Sequence, residues 1–427
     1  MSADASAGAF LGGEVAGAGL VRGRSAFDPT EMPFMRKRIR WLLLVAALVL
    51  APSSALAQME VAPVSFTGPL SHPRYDDGGP YIGLALPYLK TNRPFDNQVI
   101  AYRGFFDLDG ALGTQFAWVG SKDVALQTSQ LFGPGTWQPG WDITAGYRFH
   151  NGTVVELQWR HLVQARYTAQ AALIPPGFNV GTNFENTFVS SLVSGFGTEW
   201  AGNEFNTADP NATAATTFGI WNAASFMQIE WVQRFDVYGI NVRVPMAETA
   251  SYRSYGLFGP RIVWIWDRFK WRTVDQDENG EATPDTVAIY TNQISNRLNG
   301  VHFGSGHDWY FGDTPIGGFA ATIEVEGGLY LDMCKTRVAW DREDLQTGIR
   351  RARRFYPLSP AAEIRAGLWW YPWEAVSIQV SYEFQAYFNT ISSRQPIDFN
   401  LSTVNPEFNA QFIRFFQGIR FGISFVF

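Results

Sequence analysis

The chain has 427 residues, of which 46% are hydrophobic, 15% aromatic and only 17% charged, yet its mean hydropathy is slightly negative. A formal net charge of −6 argues against a nucleic-acid binder, because phosphate backbones are held by basic surfaces. Cys334 is the single cysteine, which excludes an intramolecular disulfide framework.

Residues 1–34 are rich in Gly, Ala and Ser without periodicity and read as a disordered leader or a misassigned start. Met35 opens a better-formed segment over 35–57: Arg36, Lys37, Arg38 and Arg40, an apolar run from Trp41 to Ala51, then Ala55, Leu56 and Ala57 before Gln58. That is the charged region, apolar region and small-residue site of a secretory signal peptide cut between Ala57 and Gln58. Pro52 and two serines interrupt the run where a spanning helix would need apolar residues, which disfavours the alternative of an uncleaved anchor. The first 57 residues hold six basic and four acidic side chains, so the exported chain carries 27 Lys plus Arg against 35 Asp plus Glu, a net charge of −8. No further run is long enough to cross a bilayer as a helix. The choice narrows to a soluble secreted protein or a barrel, and a surface divided between lipid and a wet interior suits the composition.

Residues 58–110 read as an N-terminal periplasmic segment with weak strands near 81–89 and 99–106; the barrel is expected over 111–427, with its first strand at 111–119. Gly140 to Phe149 alternates, with Trp141, Ile143, Ala145, Tyr147 and Phe149 on one face and Asp142, Thr144 and Arg148 on the other. His150-Asn151-Gly152 predicts a type I′ turn. The returning strand sets Val155, Leu157 and Trp159 against Glu156, Gln158 and Arg160. From about Tyr167 to Trp221 the pattern dissolves into Asn, Thr, Gly and Ser, which reads as a long external loop.

Alternation resumes at 226–235, where Met227, Ile229 and Trp231 oppose Gln228, Glu230 and Arg234. At 257–268 Trp264 and Trp266 oppose Arg261 and Asp267. Strands are predicted at 301–311, 319–331, 361–371 and 376–388. In the second of these Ile323, Val325, Leu329 and Leu331 face away from Glu324, Glu326, Tyr330 and Asp332. The last strand, QFIRFFQGIRFGISFVF, places Ile413, Phe415, Ile419, Phe421, Ile423, Phe425 and the terminal Phe427 on one face and Arg414, Arg420 and Ser424 on the other. An outer-membrane barrel closes with such a strand, because the chain must end paired with no open edge in lipid. The strands number ten, or twelve if the early pair counts.

If apolar faces meet lipid, the lumen is lined by Arg148, Glu156, Arg160, Glu230, Arg234, Arg261, Glu324, Glu326, Glu363, Arg365, Glu383, Arg414 and Arg420. Its basic members are all arginine, whose planar fork pairs bidentately with carboxylates in restricted space. Ten to twelve strands with such a lining predict a salt-bridged interior and at most a narrow pore.

Three further patterns carry chemistry. Asp275, Asp277 and Asn279, followed by Gly280, spell the front half of a calcium loop, but Thr286 stands where the bidentate carboxylate belongs, and an acidic exposed loop is the alternative. Arg350, Arg351, Arg353 and Arg354 cluster in a loop, where they could meet lipopolysaccharide phosphates or pair with Asp341, Glu343 and Asp344. Ser305, His307 and Asp308 raise a lipid hydrolase, although in a regular strand Asp308 points away from His307; the girdle position is the alternative for His307 and Trp309.

The phrases GWDITAGYRF at 140–149, LFGPRIVWIWDRF at 257–269, VEGGLYL at 325–331, Ile397-Asp398 with Asn405-Pro406, and the closing RFGISFVF resemble the β-barrel porin family, pore-forming outer-membrane proteins of unusual Gram-negative-type bacteria. The resemblance spans most of 110–427 and implies the fold better than an activity, since these are strand phrases. It also implies a tryptophan-rich first strand soon after the signal peptide, and none stands out here.

The sequence therefore predicts an all-β, transmembrane, antiparallel up-and-down β-barrel of the cell outer membrane, with short periplasmic turns and long extracellular loops. Its expected role is a narrow porin for small solutes; the alternatives are a non-conducting structural or adhesive surface barrel, a lipid hydrolase, and a soluble sugar-binding sandwich. Expected partners are outer-membrane lipid, lipopolysaccharide and the barrel assembly machinery, without nucleic acid and without a cofactor beyond the candidate calcium.

Overall fold

The computed structural model describes residues 79–427 apart from 93, 108–113, 115–116, 120–122, 132–136, 173–188, 191–220, 222, 250, 277–280, 346–347, 374–375 and 401–402. The signal segment with Ala57 and Gln58, and the calcium-loop residues Asp277 and Asn279, lie outside the described residues.

β1 (Gly79–Thr91) is followed by four short strands: β2 (Val99–Arg103), β3 (Phe105–Asp107), β4 (Ala117–Val119) and β5 (Val124–Gln127). Then come β6 (Trp137–Arg148), β7 (Val154–Ala172), the two-residue strands β8 (Val189–Ser190) and β9 (Ala223–Ala224), β10 (Phe226–Glu248) and β11 (Tyr252–Val274). β12 (Val287–Thr314), β13 (Gly317–Asp332), β14 (Cys334–Arg342), β15 (Gly348–Phe355), β16 (Leu358–Trp373), β17 (Val376–Gln395) and β18 (Glu407–Val426) complete the chain.

Ten of these close an antiparallel barrel in the order β1-β6-β7-β10-β11-β12-β13-β16-β17-β18. The seam is the pairing of β1 with β18, from Tyr81↔Val426 to Thr91↔Phe416, and Phe427 donates its N–H to the Pro80 carbonyl. The expected count of ten holds, but the first strand is β1 and not 111–119. Only Ala117–Val119 of that stretch is a strand, and it pairs with β3 in a separate two-stranded sheet. β1 covers the weak strand expected near 81–89, whose pattern Pro80 and Pro87 interrupt; both can sit in a strand where the missing N–H faces no partner. The segment at 99–106 likewise stays out of the barrel, β2 joining β5, β8 and β9 in a four-stranded sheet.

The spans between β6 and β7, β10 and β11, β12 and β13, and β16 and β17 are short, and those strand ends lie at the end where β1 begins and β18 finishes; the spans between β1 and β6, β7 and β10, β11 and β12, β13 and β16, and β17 and β18 are longer, and those strand ends lie at the other. The first hairpin is a three-residue loop, not the expected two-residue type I′ turn. Gly152 has φ +77° and Asn151 does not share a positive φ, while Phe149 and Thr153 close the loop and the Asn151 side chain accepts the Thr153 N–H at 3.0 Å.

The outward face near the short-turn end is apolar, as on a transmembrane barrel. Leu84, Leu86, Leu157, Phe258, Val301, Phe303, Ile364 and Phe421 are all exposed there. Towards the other end the polarity of the wall inverts. Outward positions become Arg268, Lys270, Arg272, Lys335 and Arg337, whereas inward positions become Trp231, Phe269, Trp271, Tyr290 and Trp340, all buried. β14 continues beyond β13 past Met333 and pairs with the outer half of β12, from Lys335↔Ser295 to Arg342↔Ala288, and β15 pairs with β14. The wall thus rises beyond the apolar band as a collar with a water-facing outside.

Within this collar described residues of two of the longer connections turn inwards. Phe95, Ile100, Leu126 and Leu131 from 92–136, and Ile397 and Val404 from 396–406, pack among those inward aromatics as one core cluster. Gln98 ties the two connections together, donating from Nε2 to the Ile397 carbonyl at 2.7 Å and accepting the Ile397 N–H at 3.1 Å. Complete burial of each large apolar side chain stabilises such a plug by about 1.5–3 kcal/mol.

Candidate functional site

The lumen at the level of the apolar band holds a continuous belt of ion pairs. Arg160 on β7 donates to Asp142 on β6 through Nε at 3.0 Å and Nη2 at 2.8 Å, and Nη2 lies 3.3 Å from Glu383 on β17. Arg365 on β16 joins Glu324 at 2.7 Å, Glu363 at 3.0 Å and Glu383 at 3.6 Å. Arg261 on β11 pairs with Glu326 at 2.8 Å and Glu363 at 3.2 Å. Arg243 on β10 bridges Glu156 at 3.1 Å and Glu324 at 2.7 Å. Arg420 on β18 lies 3.3 Å from Asp142 and donates to Gln379 at 2.7 Å.

The strand period explains the assembly. Side chains two apart share a face, so each strand can deliver one or two long charged groups to the same height, and closure brings all the strands round to meet. Burying these charges is tolerable only because each finds counter-charges in the belt, and most of them hydrogen bonds as well. Neutral donors complete the set: Tyr81 donates to Glu156, Tyr255 to Glu324 at 2.8 Å, and Asn241 to Glu156 at 2.6 Å.

Of the lumen residues expected from the sequence, Glu156, Arg160, Arg261, Glu324, Glu326, Glu363, Arg365, Glu383 and Arg420 come together in this belt. Arg414 lies in a separate pair with Asp267 at 2.7 Å, beside Gln233 and Gln138. Arg148 is half-buried near the short-turn end of β6. Glu230 and Arg234 are corrections: both sit on the outer face. Glu230 pairs with Arg166 at 2.7 Å and Arg268 at 2.8 Å, and Arg234 lies over the Trp264 ring. Their strand segment is in the collar, where the apolar side faces the plug, so the rule that apolar means outward reverses sign. Arg243, Asn241, Tyr81 and Tyr255 were missed. Arg243 was legible, since β10 continues its alternation through Val242 and Val244; the other three carry no charge to mark them.

Beyond the belt the lumen is crossed by a second apolar cluster, in which Leu89, Leu162, Phe235, Val263, Ile265, Leu298 and Phe416 are fully buried. The Phe235 ring on β10 and the Phe416 ring on β18, two strands that are not neighbours in the wall, lie 4.2 Å apart. The collar plug follows. Beside the belt lies a cavity of about 130 Å³ lined by its Glu156, Arg243, Glu324 and Arg420 together with Thr144, Leu84 and Trp369.

No protein-family model matches the chain. No curated protein sequence matches it either. Among solved structures, the outer membrane protease OmpT from Escherichia coli is similar over 84% of this chain and 98% of its own, at 8% identity and a TM-score of 0.31. A Pseudomonas aeruginosa FadL homologue is similar over 82% of this chain and 90% of its own, at 11% identity and a TM-score of 0.22. An anion-selective porin from Comamonas acidovorans covers 81% of this chain and 100% of its own, at 10% identity and a TM-score of 0.11.

The remaining candidates are separated by the wall. Ser305 and His307 face outwards and Asp308 faces the lumen, buried. His307 Nδ1 is engaged by the Tyr252 hydroxyl at 2.7 Å, and its ring stacks beside Trp309 at 6.1 Å, an arrangement typical of an interfacial girdle. Among the described residues no group of three His, Cys, Asp or Glu is placed to hold a metal. Thr286 is hydrogen-bonded to Thr283, and Asp275 is buried at the end of β11. Two arginines of the basic run are engaged, Arg350 with Asp341 at 3.0 Å and Arg351 with the Thr403 carbonyl at 2.7 Å, while Glu343 approaches Arg272 and Asp344 pairs with Arg342.

Proposed function

We propose that the protein is an outer-membrane β-barrel that conducts no steady current and serves as a closed anchor for a rigid collar on the extracellular side. The observation that carries this reading is the apolar layer of Leu89, Leu162, Phe235, Leu298 and Phe416 across the lumen, stacked between the ion-pair belt and the collar plug. Water and ions crossing such a layer would lose hydration without gaining polar partners. The leader, the closed ten-stranded wall and the apolar outer band support insertion after export, with the short turns on the periplasmic side and the collar outside.

Single-channel recording from the chain refolded into planar bilayers tests the reading, with heat-modifiable gel mobility as the check on folding. Inserted protein without discrete steps is the expected result; steps of stable size from the unaltered chain would overturn it. The narrow porin is the second reading, favoured by the cavity of about 130 Å³ that the belt's charged side chains line. It requires the Phe235–Phe416 layer to move aside, and small solutes would then pass an arginine-carboxylate constriction.

A further inference from the structure

The outer surface carries a second feature where the apolar band gives way to the collar. A groove of about 450 Å³ runs across β11, β12, β14 and β15, with Trp264 and Trp266 along one side and Arg297, Lys335, Arg337 and Arg354 along the other. Register places these groups at neighbouring heights: Trp264 is opposite Arg297, Trp266 opposite Ser295, Ser295 opposite Lys335, and Lys335 opposite Arg354. Met333 and Tyr356, both exposed, form the rim facing the apolar band, which continues below through Leu331 and Leu358.

The charge here is unbalanced. Among the described residues, none of these four cations takes part in an ion pair, in contrast to Arg268, which Glu230 neutralises next door. Arg337, with further contributions from burial, Arg354 and Arg297, lowers the pKa of Lys335 below the ordinary lysine value, as expected where like charges crowd together. A protein gains nothing in stability from assembling four cations without counter-ions; an anion supplied from outside would relieve the repulsion. Trp264 already stacks with cations, Arg297 lying 5.3 Å and Arg234 5.6 Å from its ring, which holds the fork of Arg297 at the groove.

We propose that this groove binds the phosphorylated headgroup of an outer-leaflet glycolipid, with its phosphates on Arg297, Lys335, Arg337 and Arg354 and its acyl chains descending past Met333, Tyr356 and the apolar band. A soluble anion would satisfy the cations but would leave the rim and the band below it unused. Basic side chains next to an amphipathic tryptophan pair at the membrane boundary match the two-part chemistry of a charged head on an apolar body. The inference rests on the membrane placement proposed above, since only then does the groove open at headgroup height.

The test compares three probes against the full chain folded into detergent: bis-phosphorylated lipid A, its dephosphorylated form, and glucosamine phosphate without acyl chains. Preference for the phosphorylated lipid over both others is expected. The combined Arg297→Ala, Lys335→Ala, Arg337→Ala and Arg354→Ala change should weaken that binding roughly tenfold or more, and Arg350→Ala should leave it unaltered. Since these side chains lie on the surface, heat-modifiable mobility should persist; if the combined variant fails to fold, the paired Lys335→Glu and Arg337→Glu change is read instead. Equal binding of the phosphorylated and dephosphorylated lipids, or glucosamine phosphate competing as well as the lipid, would overturn the proposal. Failure of the folded chain to insert into bilayers would instead remove the membrane reading itself, so the two failures are distinguishable.

Discussion

At the scale of single residues the decisive contrast is between arginines that share a side-chain type and differ in surroundings. Arg160 is 2% exposed among Asp142, Glu363 and Glu383, whereas Arg350 is 71% exposed beside Asp341. Removing Arg160 strands buried carboxylates, so Arg160→Ala should cost about 3–5 kcal/mol. Arg350→Ala should cost no more than about 1 kcal/mol, because water screens the pair it belongs to. Urea unfolding of both variants in lipid vesicles, followed by tryptophan fluorescence, checks the difference; equal midpoints would refute the ion-pair belt as a stabilising unit. That these arginines face the lumen was legible wherever the strand crosses the apolar band. Glu230 and Arg234 were misplaced because no single residue announces whether its strand segment lies in the band or in the collar.

At the scale of elements the hairpins and the seam set the register. Gly152, with φ +77°, is the residue that lets the β6–β7 loop close in three residues. Gly152→Ala should destabilise by about 1 kcal/mol, since a side chain is strained at positive φ, while Asn151→Ala should lose only the capping of the Thr153 N–H. Thermal loss of the heat-modifiable folded band compares the two, and a larger loss for Asn151→Ala would argue for a type I′ turn after all. On the seam, a Cβ at Gly418 would stand 2.1 Å from the Tyr88 carbonyl oxygen. Gly418→Val should therefore prevent β18 from docking on β1 and abolish the folded band, whereas Ser424→Val, near the seam's open end, should be tolerated better.

At the scale of the whole molecule the wall exchanges its inside and outside between two environments. In the band, lipid outside and charges inside give apolar-out alternation; in the collar, water outside and a protein plug inside give the reverse. The plug and the cross-lumen layer then decide conductance. Phe235→Ala with Phe416→Ala removes two facing rings, each truncation costing about 3–5 kcal/mol where the site does not collapse, and should introduce flickering current in planar bilayers that the unaltered chain lacks. Silence of a folded double variant would place the barrier in the ion-pair belt or the collar plug.

The period-2 pattern by itself determined that strands form, that nine of the ten barrel strands fall where they do, and that an arginine-carboxylate set faces inwards at the height of the band. Those are local consequences of alternation and of the aversion of charge to lipid, and a single strand displays them. Only closure decided the rest. β1 acquires its place by pairing with β18, from the far end of the chain, Tyr81 meeting Val426. The belt exists because arginines from β7, β10, β11, β16 and β18 converge across one lumen. The collar core exists because 92–136 and 396–406 fold back between walls that the chain builds far apart in sequence. Pairings of that kind depend on which surfaces the closed barrel brings together, and alternation along one strand is identical whether lipid or a plug awaits on its apolar side.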